Sequence, residues 1–319
     1  LRLNAEQAHF KFMIKTLYRL ILSITFVLTI GCVSTPTVQM VVIQPSTAPL
    51  KLKHALHRPS VAIALGGGAA RGFAHVGVLK ALEENGIIPD VIIGTSAGSV
   101  VGALYAGGIR GQALVDAASE LSRDKLTDWS FPNRGVIKGE LLQQYVNEKL
   151  DFRSIEDLEI PFAAIATELK TGRRVAFNQG NVGIAVRASS AVPGIVQPVI
   201  IDGRDYVDGG IVSQVPVEYA RELGADIVIA VDVTRSPQLL SEFPDTIDVV
   251  YQSLLIVSKV LVDYQVKSAD IVIRPHVGHV SIADFEQRLF VIDEGYRSAE
   301  VVIPYIKELI REKTGQAVN

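Results

Sequence analysis

Three short stretches of this chain have residue types and spacing that point to chemistry. They are Gly66-Gly67-Gly68-Ala69-Ala70-Arg71-Gly72, Gly94-Thr95-Ser96-Ala97-Gly98 and Asp208-Gly209-Gly210. In the second, a serine stands between small residues after the apolar run Val91-Ile92-Ile93. A serine on a tight turn between a strand and a helix presents its oxygen at the strand's carboxyl end, where it can attack an acyl carbon. The helix that follows would turn its positive end toward the site and favour a developing oxyanion. A plain helix cap would explain the serine equally well if the pentapeptide stood alone.

The glycine run sits between Val61-Ala62-Ile63-Ala64-Leu65 and an amphipathic stretch, so its backbone N–H groups can face an anion. That anion is either a nucleotide phosphate or the oxyanion of acyl transfer. The dinucleotide fingerprint fails because Arg71 occupies its sixth place, and no Lys-Ser/Thr pair closes a P-loop. Ser96 at the end of the next strand favours the oxyanion reading, with the N–H groups of Gly67 and Gly68 as donors. Arg71 either pins the loop or contacts an anionic group of a substrate. Asp208 is either a simple Asp-Gly turn or the general base that takes the serine proton. A Ser-Asp-His triad remains open in chain order, with His276 or His279 as its imidazole. His75 falls inside the first helix, where packing against its own turn is the expected role.

These residues need elements to hold them. Short apolar runs end in glycine or turn residues at 61–65, 91–93, 160–166, 206–207, 227–231 and 271–273, which predicts buried strands. Helical spacing covers 72–85, the stretch after Ser96, 111–121, 139–150, 180–191 and 286–312, the last interrupted near Pro304. Strands alternating with helices predict an α/β fold of three layers, a mostly parallel sheet with helices on both faces. Residues 122–139, with Trp129, Phe131 and Pro132, are the candidate apolar lid or membrane-facing edge.

Taken together and in this order, the glycine run, the Gly94–Gly98 pentapeptide and Asp208-Gly209-Gly210 resemble the bacterial patatin-like phospholipases. The stretch Arg187-Ala188-Ser189-Ser190-Ala191-Val192-Pro193-Gly194 resembles the same family. The resemblance covers roughly residues 60–300. It implies the patatin-like fold, a Ser96–Asp208 dyad in place of a triad, and an oxyanion hole built on Gly66, Gly67, Gly68, Arg71 and Gly72. It also implies a nucleophile elbow shaped by Gly94 and Gly98, an Asp-Gly-Gly motif completed by Gly209 and Gly210, and hydrolysis of lipid carboxylic esters with no cofactor and no metal. The expected partner is a phospholipid or lysophospholipid. A thioesterase or acyltransferase on the same site, or a non-catalytic lipid- or partner-binding lipoprotein, are the rival readings.

The chain has 319 residues, 48% of them hydrophobic, with a net charge of −3. That is enough for one large core. Four of the basic side chains and one acidic side chain fall in the first 31 residues, so the body is acidic, which argues against a nucleic-acid partner. A single cysteine, Cys32, excludes an intramolecular disulfide. Lys15 and Arg19 precede an apolar run, Leu20 to Ile30, which Gly31 and Cys32 close. That is the layout of a signal peptide starting at Met13, and 28–32 resembles a bacterial lipoprotein signal. The expected organisation is a signal with a lipidated Cys32 over 1–32, a flexible tether over 33–59 rich in Ser, Thr, Pro and Val, and the hydrolase domain over 60–319. The expected place is the cell envelope, at an outer membrane facing the periplasm, with the lipid anchor holding the protein at the bilayer.

Overall fold

The computed structural model describes residues 44–48, 50, 52, 58–130, 134–234 and 246–317. The expected signal, Met13 and Cys32 lie outside them, as do Phe131 and Pro132. No helix among the described residues is long and apolar enough to cross a membrane.

Among the described residues, eight strands form one sheet: β1 (Val61–Leu65), β2 (Val91–Thr95), β3 (Phe162–Glu168), β4 (Arg174–Phe177), β5 (Val199–Ile201), β6 (Arg204–Asp208), β7 (Ile227–Val231) and β8 (Ile271–Ile273). The order is β5-β6-β3-β2-β1-β7-β8, with β4 also on β3. The pairs joining β3, β2, β1, β7 and β8 are parallel, whereas β4, β5 and β6 pair antiparallel. The mostly parallel sheet expected from the alternating pattern is present, with an antiparallel end that the pattern did not announce.

The central strands are buried on both faces, which is why they read as unbroken apolar runs. Ile63, Leu65, Ile92 and Phe162 point into one core, and Ala62, Ala64, Ile93 and Ala163 into the other. Helices α1 (Ala74–Glu84), α2 (Ala97–Ala106), α3 (Gly111–Glu120), α5 (Glu140–Lys149), α6 (Val182–Ser189) and α9 (Arg288–Ala317) cover the first face. Helix α7 (Val217–Glu222) and the end of α8 (Thr246–Gln265) cover the second, and α4 is a single turn, Arg123–Leu126. Helices α1 and α9 cross closely enough that a side-chain carbon on Gly77 would strike Ile292, and one on Gly295 would strike Ala74.

Several boundaries differ from the sequence reading. The glycine run enters a 3-10 turn at Ala69–Phe73 before α1 begins. The strand expected at 160–166 runs from Phe162 to Glu168. Helix α9 continues through Pro304 without interruption. Pro304 and Glu300, the residue whose carbonyl loses its partner, are both exposed, so water meets the freed group. The α8 helix had no counterpart in the sequence reading. Part of the expected tether is docked: Ser46 N–H donates to Gln179 O at 3.1 Å, Ala48 N–H to Asn178 Oδ1 at 2.8 Å, and Leu52 is buried in the second core. In the 122–139 stretch, the Asp128 carboxylate accepts from the N–H groups of Gly139, Glu140 and Leu141 and starts α5.

Candidate active site

Sheet register brings the serine and the aspartate together. On β3, Ala164 and Ile165 pair with both β2 and β4, so those two strands take opposite edges. Ala166 and Thr167 pair with both β4 and β6, so β6 shares the edge of β2. The last rung of β2 joins Thr95 to Ile165, and the next residue of β3, Ala166, pairs with Asp208. Ser96, leaving the end of β2, therefore meets Asp208, arriving at the end of β6. The Ser96 side chain lies close enough to the Asp208 carboxylate to favour its charged form.

Ser96 sits at φ 52°, ψ −124° between β2 and α2. A positive φ on a non-glycine residue costs on the order of 1–3 kcal/mol and persists only where the surroundings over-determine it. Here they do. Ser96 N–H donates to Ser189 Oγ at 2.9 Å, and Ser189 Oγ donates to Ile165 O at 2.6 Å. Ser99 Oγ donates to Ser96 O at 2.6 Å, and Thr95 Oγ1 to Ser213 O at 2.8 Å. Gly94 and Gly98 allow close backbone approach around Ser96, because a side chain on Gly98 would strike Leu65 and one on Gly94 would strike Gly98 and Ser99. The sequence reading gave Ser189 no role. Its signal was its place in the 187–194 motif, and its task, visible only in three dimensions, is to hold the nucleophile's backbone.

Asp208 is held by Thr167 Oγ1, which donates to its carbonyl at 2.9 Å, and by its own N–H, which donates to Ala191 O at 2.9 Å. Gly210 N–H donates to Asp208 Oδ1 at 2.7 Å, so the Asp-Gly-Gly motif folds back onto the carboxylate. Gly209 lets the turn press against Ile165. Burial pushes the Asp208 carboxyl up to about 6, against the opposing hydrogen bonds from Ser96 and Gly210. At neutral pH it is ionised, yet a much better proton acceptor than a free carboxylate.

The glycine loop departs from its expected division of labour. Gly66 N–H donates to Val231 O and Gly67 N–H to Gln214 O, both at 3.0 Å. The Gly67 N–H, expected as an oxyanion donor, is thus already engaged in this structure. Among the described residues the N–H groups of Gly68 and Ala69 meet no acceptor, and both residues reach solvent. Gly67 matters instead for closeness, since a side-chain carbon there would sit 3.3 Å from Ser96 Cβ. Gly72 lets the loop press on Ala97. Arg71 is buried and its Nε donates to Gly68 O at 3.3 Å, which is the loop-pinning role.

His75 is fully buried, and its Nε2 donates to Gly66 O at 2.7 Å, which leaves Nδ1 unprotonated and without a partner. Burial pushes this imidazole down to about 4, against the hydrogen bond to Gly66 and the charge of Asp232. It anchors the glycine loop rather than only packing on its own turn. His276 and His279 are exposed in the loop after β8, which turns back until Ile282 O accepts from Ala70 N–H at 3.2 Å. His279 packs edge-on against Phe290 at 5.6 Å. No hydrogen bond or ion pair among the described residues joins either imidazole to Asp208, whose pKa is shifted by burial, Ser96 and Gly210.

The fold and site define an α/β protein with a strained serine elbow and a buried carboxylate beside it. The chain belongs to the patatin-like phospholipase family, whose profile matches residues 63–221. It is 38% identical over 194 residues to an uncharacterized NTE family protein of Mycobacterium bovis, covering 60% of this chain and 54% of that protein. It is 36% identical over 180 residues to a protein named lysophospholipase nte1 in Aspergillus fumigatus, covering 54% of this chain and 12% of that protein. The match thus spans about half the length of the mycobacterial relative and a small part of the fungal one. Among solved structures, VipD of Legionella pneumophila shares the fold with a TM-score of 0.55 at 16% identity, covering 83% of this chain and 70% of that one.

Proposed function

We propose that this protein hydrolyses carboxylic esters of lipids, as a phospholipase A or lysophospholipase, through a Ser96–Asp208 dyad. The observation that carries the reading is the strand register that sets Ser96, at the end of β2, beside a buried carboxylate, Asp208, raised to about 6. As Ser96 Oγ attacks the ester carbon, its proton passes to Asp208. The carbonyl oxygen becomes an oxyanion facing the Gly68 N–H, with Ala69 N–H beside it and the positive end of α2 behind. One such donor is typically worth about 2.7–4 kcal/mol to the transition state. When the tetrahedral centre collapses, the alkoxide leaves with the proton from Asp208. Water then attacks the acyl-serine, Asp208 takes its proton, and that proton returns to Ser96 as the fatty acid departs.

Substrate class follows from the family and from the apolar edge. Trp129 is 68% exposed, Ile195 42% and Ile211 47%. Ile211 follows Asp208 by three residues, and Ile195 follows by four the Ala191 carbonyl that accepts from Asp208 N–H. Apolar side chains beside a catalytic acid suit acyl chains better than water. The envelope placement through a lipidated Cys32 belongs to the same proposal and would hold the domain against its substrate surface.

The test is labelling with a fluorophosphonate probe, followed by peptide mapping, and hydrolysis of a lysophospholipid and of a soluble nitrophenyl ester. Stoichiometric labelling at Ser96 together with fatty-acid release is expected. Labelling without turnover on either ester would favour an acyltransferase on the same serine. No labelling at all would leave a non-catalytic lipid-binding protein and defeat the proposal.

A further inference from the structure

The segment 212–215, just beyond the Asp-Gly-Gly motif, touches every part of the site. Its Ser213 carbonyl accepts from Thr95 Oγ1 at 2.8 Å, one residue before the nucleophile. Gln214 grips Gly67 twice: its carbonyl accepts from Gly67 N–H at 3.0 Å, and its Nε2 donates to Gly67 O at 2.9 Å. Val212 and Ser213 fold back on Gly209, their N–H groups donating to its carbonyl at 3.1 and 2.8 Å. The spacing between the glycine loop, Ser96 and Asp208 is therefore set by where this segment sits.

One side chain from outside the site holds the segment by both of its polar atoms. Gln265, the last residue of α8, is 2% exposed. Its Nε2 donates to Val212 O at 3.0 Å, and its Oε1 accepts from Val215 N–H at 3.0 Å. The primary amide matches both groups at once, its NH2 donating to the carbonyl and its oxygen accepting from the N–H. Val262 is buried beside Gln265, while Leu254, Val257, Val260 and Tyr264 are each more than 60% exposed.

We infer that Gln265 is a positioning residue for the acyl-transfer site, latching segment 212–215 so that Gly68, Ser96 and Asp208 keep their working separation. The inference rests on the proposed Ser96–Asp208 chemistry and deepens it. Gln265 touches no reacting atom. It lies outside the stretch matched by the family profile, and no motif in the sequence marks it. Replacing it by an apolar residue leaves a buried N–H and a buried carbonyl without partners, and the segment must move to solvate them. A displacement of about 1 Å in such a site is enough for roughly a 100-fold loss of rate.

The experiment uses the full chain, with Gln265→Met, which keeps length and loses both hydrogen bonds, and Gln265→Asn, which can reach only one of the two groups. The control is Val262→Ala, which loosens the same helix end and leaves both Gln265 hydrogen bonds in place. Rates on a soluble ester, the rate of fluorophosphonate labelling at Ser96, and thermal melts are measured together. For Gln265→Met we expect kcat and the labelling rate to fall about 10- to 100-fold with KM changed less than about threefold. Gln265→Asn falls between, and Val262→Ala keeps kcat within about twofold even if its melt drops as far. A folded Gln265→Met with kcat near wild type overturns the inference, as does a Val262→Ala loss equal to it. Should Gln265→Met not fold, wild-type kcat in Gln265→Asn overturns it. Ser96→Ala is run alongside. If that variant keeps its activity, the dyad itself has failed and the latch with it; if it is inactive while the Gln265 variants are normal, only the latch has failed.

Discussion

The segment 208–215 is held in two different ways on its two sides. Toward β2, β3 and the turn after α6, buried hydrogen bonds from Thr95 and Thr167, and one to Ala191, fix it repeatedly. Toward α8, the bonds come from one amide, Gln265. The difference follows from what each side must do. Ser96 is strained, and a strained residue relaxes unless several independent contacts forbid it. The α8 side carries no strain, so two bonds suffice, and it can yield.

The largest effects should come from the over-determined side. Ser96→Ala and Asp208→Asn are each expected to lower kcat by roughly a thousandfold or more with the fold intact by circular dichroism. Because the two act as a unit, the double variant should be little worse than either single. More than about a tenth of wild-type activity in either single variant would break the comparison, since the better-held side would then not be the chemical one.

A second effect is on stability. Asp208 is raised in the folded state from 3.8 to about 6, so the folded protein holds the proton more tightly and stability falls as pH rises through that window. His75 is lowered from 6.5 to about 4, so stability rises with pH from about 4 to 6.5 and is lost on acidification. Each shift corresponds to roughly 3 kcal/mol, with opposite signs over nearly the same range, so the two largely cancel. Asp208→Asn should therefore uncover the His75 limb: its urea-unfolding free energy should climb between pH 4 and 6.5 and exceed that of wild type at pH 7. A variant with a pH profile parallel to wild type would mean that Asp208 carries no such burden. Activity, in contrast, should fall below about pH 6 in the wild type, as the base takes up its proton.

Smaller effects sharpen the boundary of the site. His276→Ala and His279→Ala should each keep kcat within about twofold, because both imidazoles are exposed beyond β8. A loss comparable to that of Ser96→Ala, with the fold preserved, would restore the triad. The smallest effect on soluble-ester turnover, none at all, is expected for Cys32→Ser. That substitution should instead move the protein from the membrane to the soluble fraction, because lipid chains hold a protein at a bilayer by about 0.8 kcal/mol per buried methylene. Mass spectrometry finding an unmodified Cys32 in the native protein would end the lipoprotein proposal and leave the catalytic one standing.

Much of this was legible in local pattern. Apolar runs at β1, β2 and β7 mark strands because both faces are buried, and the small residues around Ser96 mark a turn because nothing larger fits beside Leu65. The α8 helix was not legible: it is apolar on much of its surface but exposed, so it lacks the one-sided stripe that announces a packed helix. The antiparallel end of the sheet was hidden for a related reason. Its strands are short, β5 only three residues, and short runs carry little period.

Residue type alone pointed to a candidate nucleophile turn, a donor-bearing glycine loop and a candidate carboxylate base, because those roles depend on local conformation and functional group. Tertiary structure decided how they are used. Which N–H groups of the glycine loop stay free depends on Val231 and Gln214, more than 140 residues away. Whether the base is a carboxylate alone or works through an imidazole depends on β6 following β2 along one edge of β3, while His276 and His279 lie beyond the far strand. The Asp208 pKa is set by burial and by its hydrogen bonds, which do not exist until the sheet closes around it.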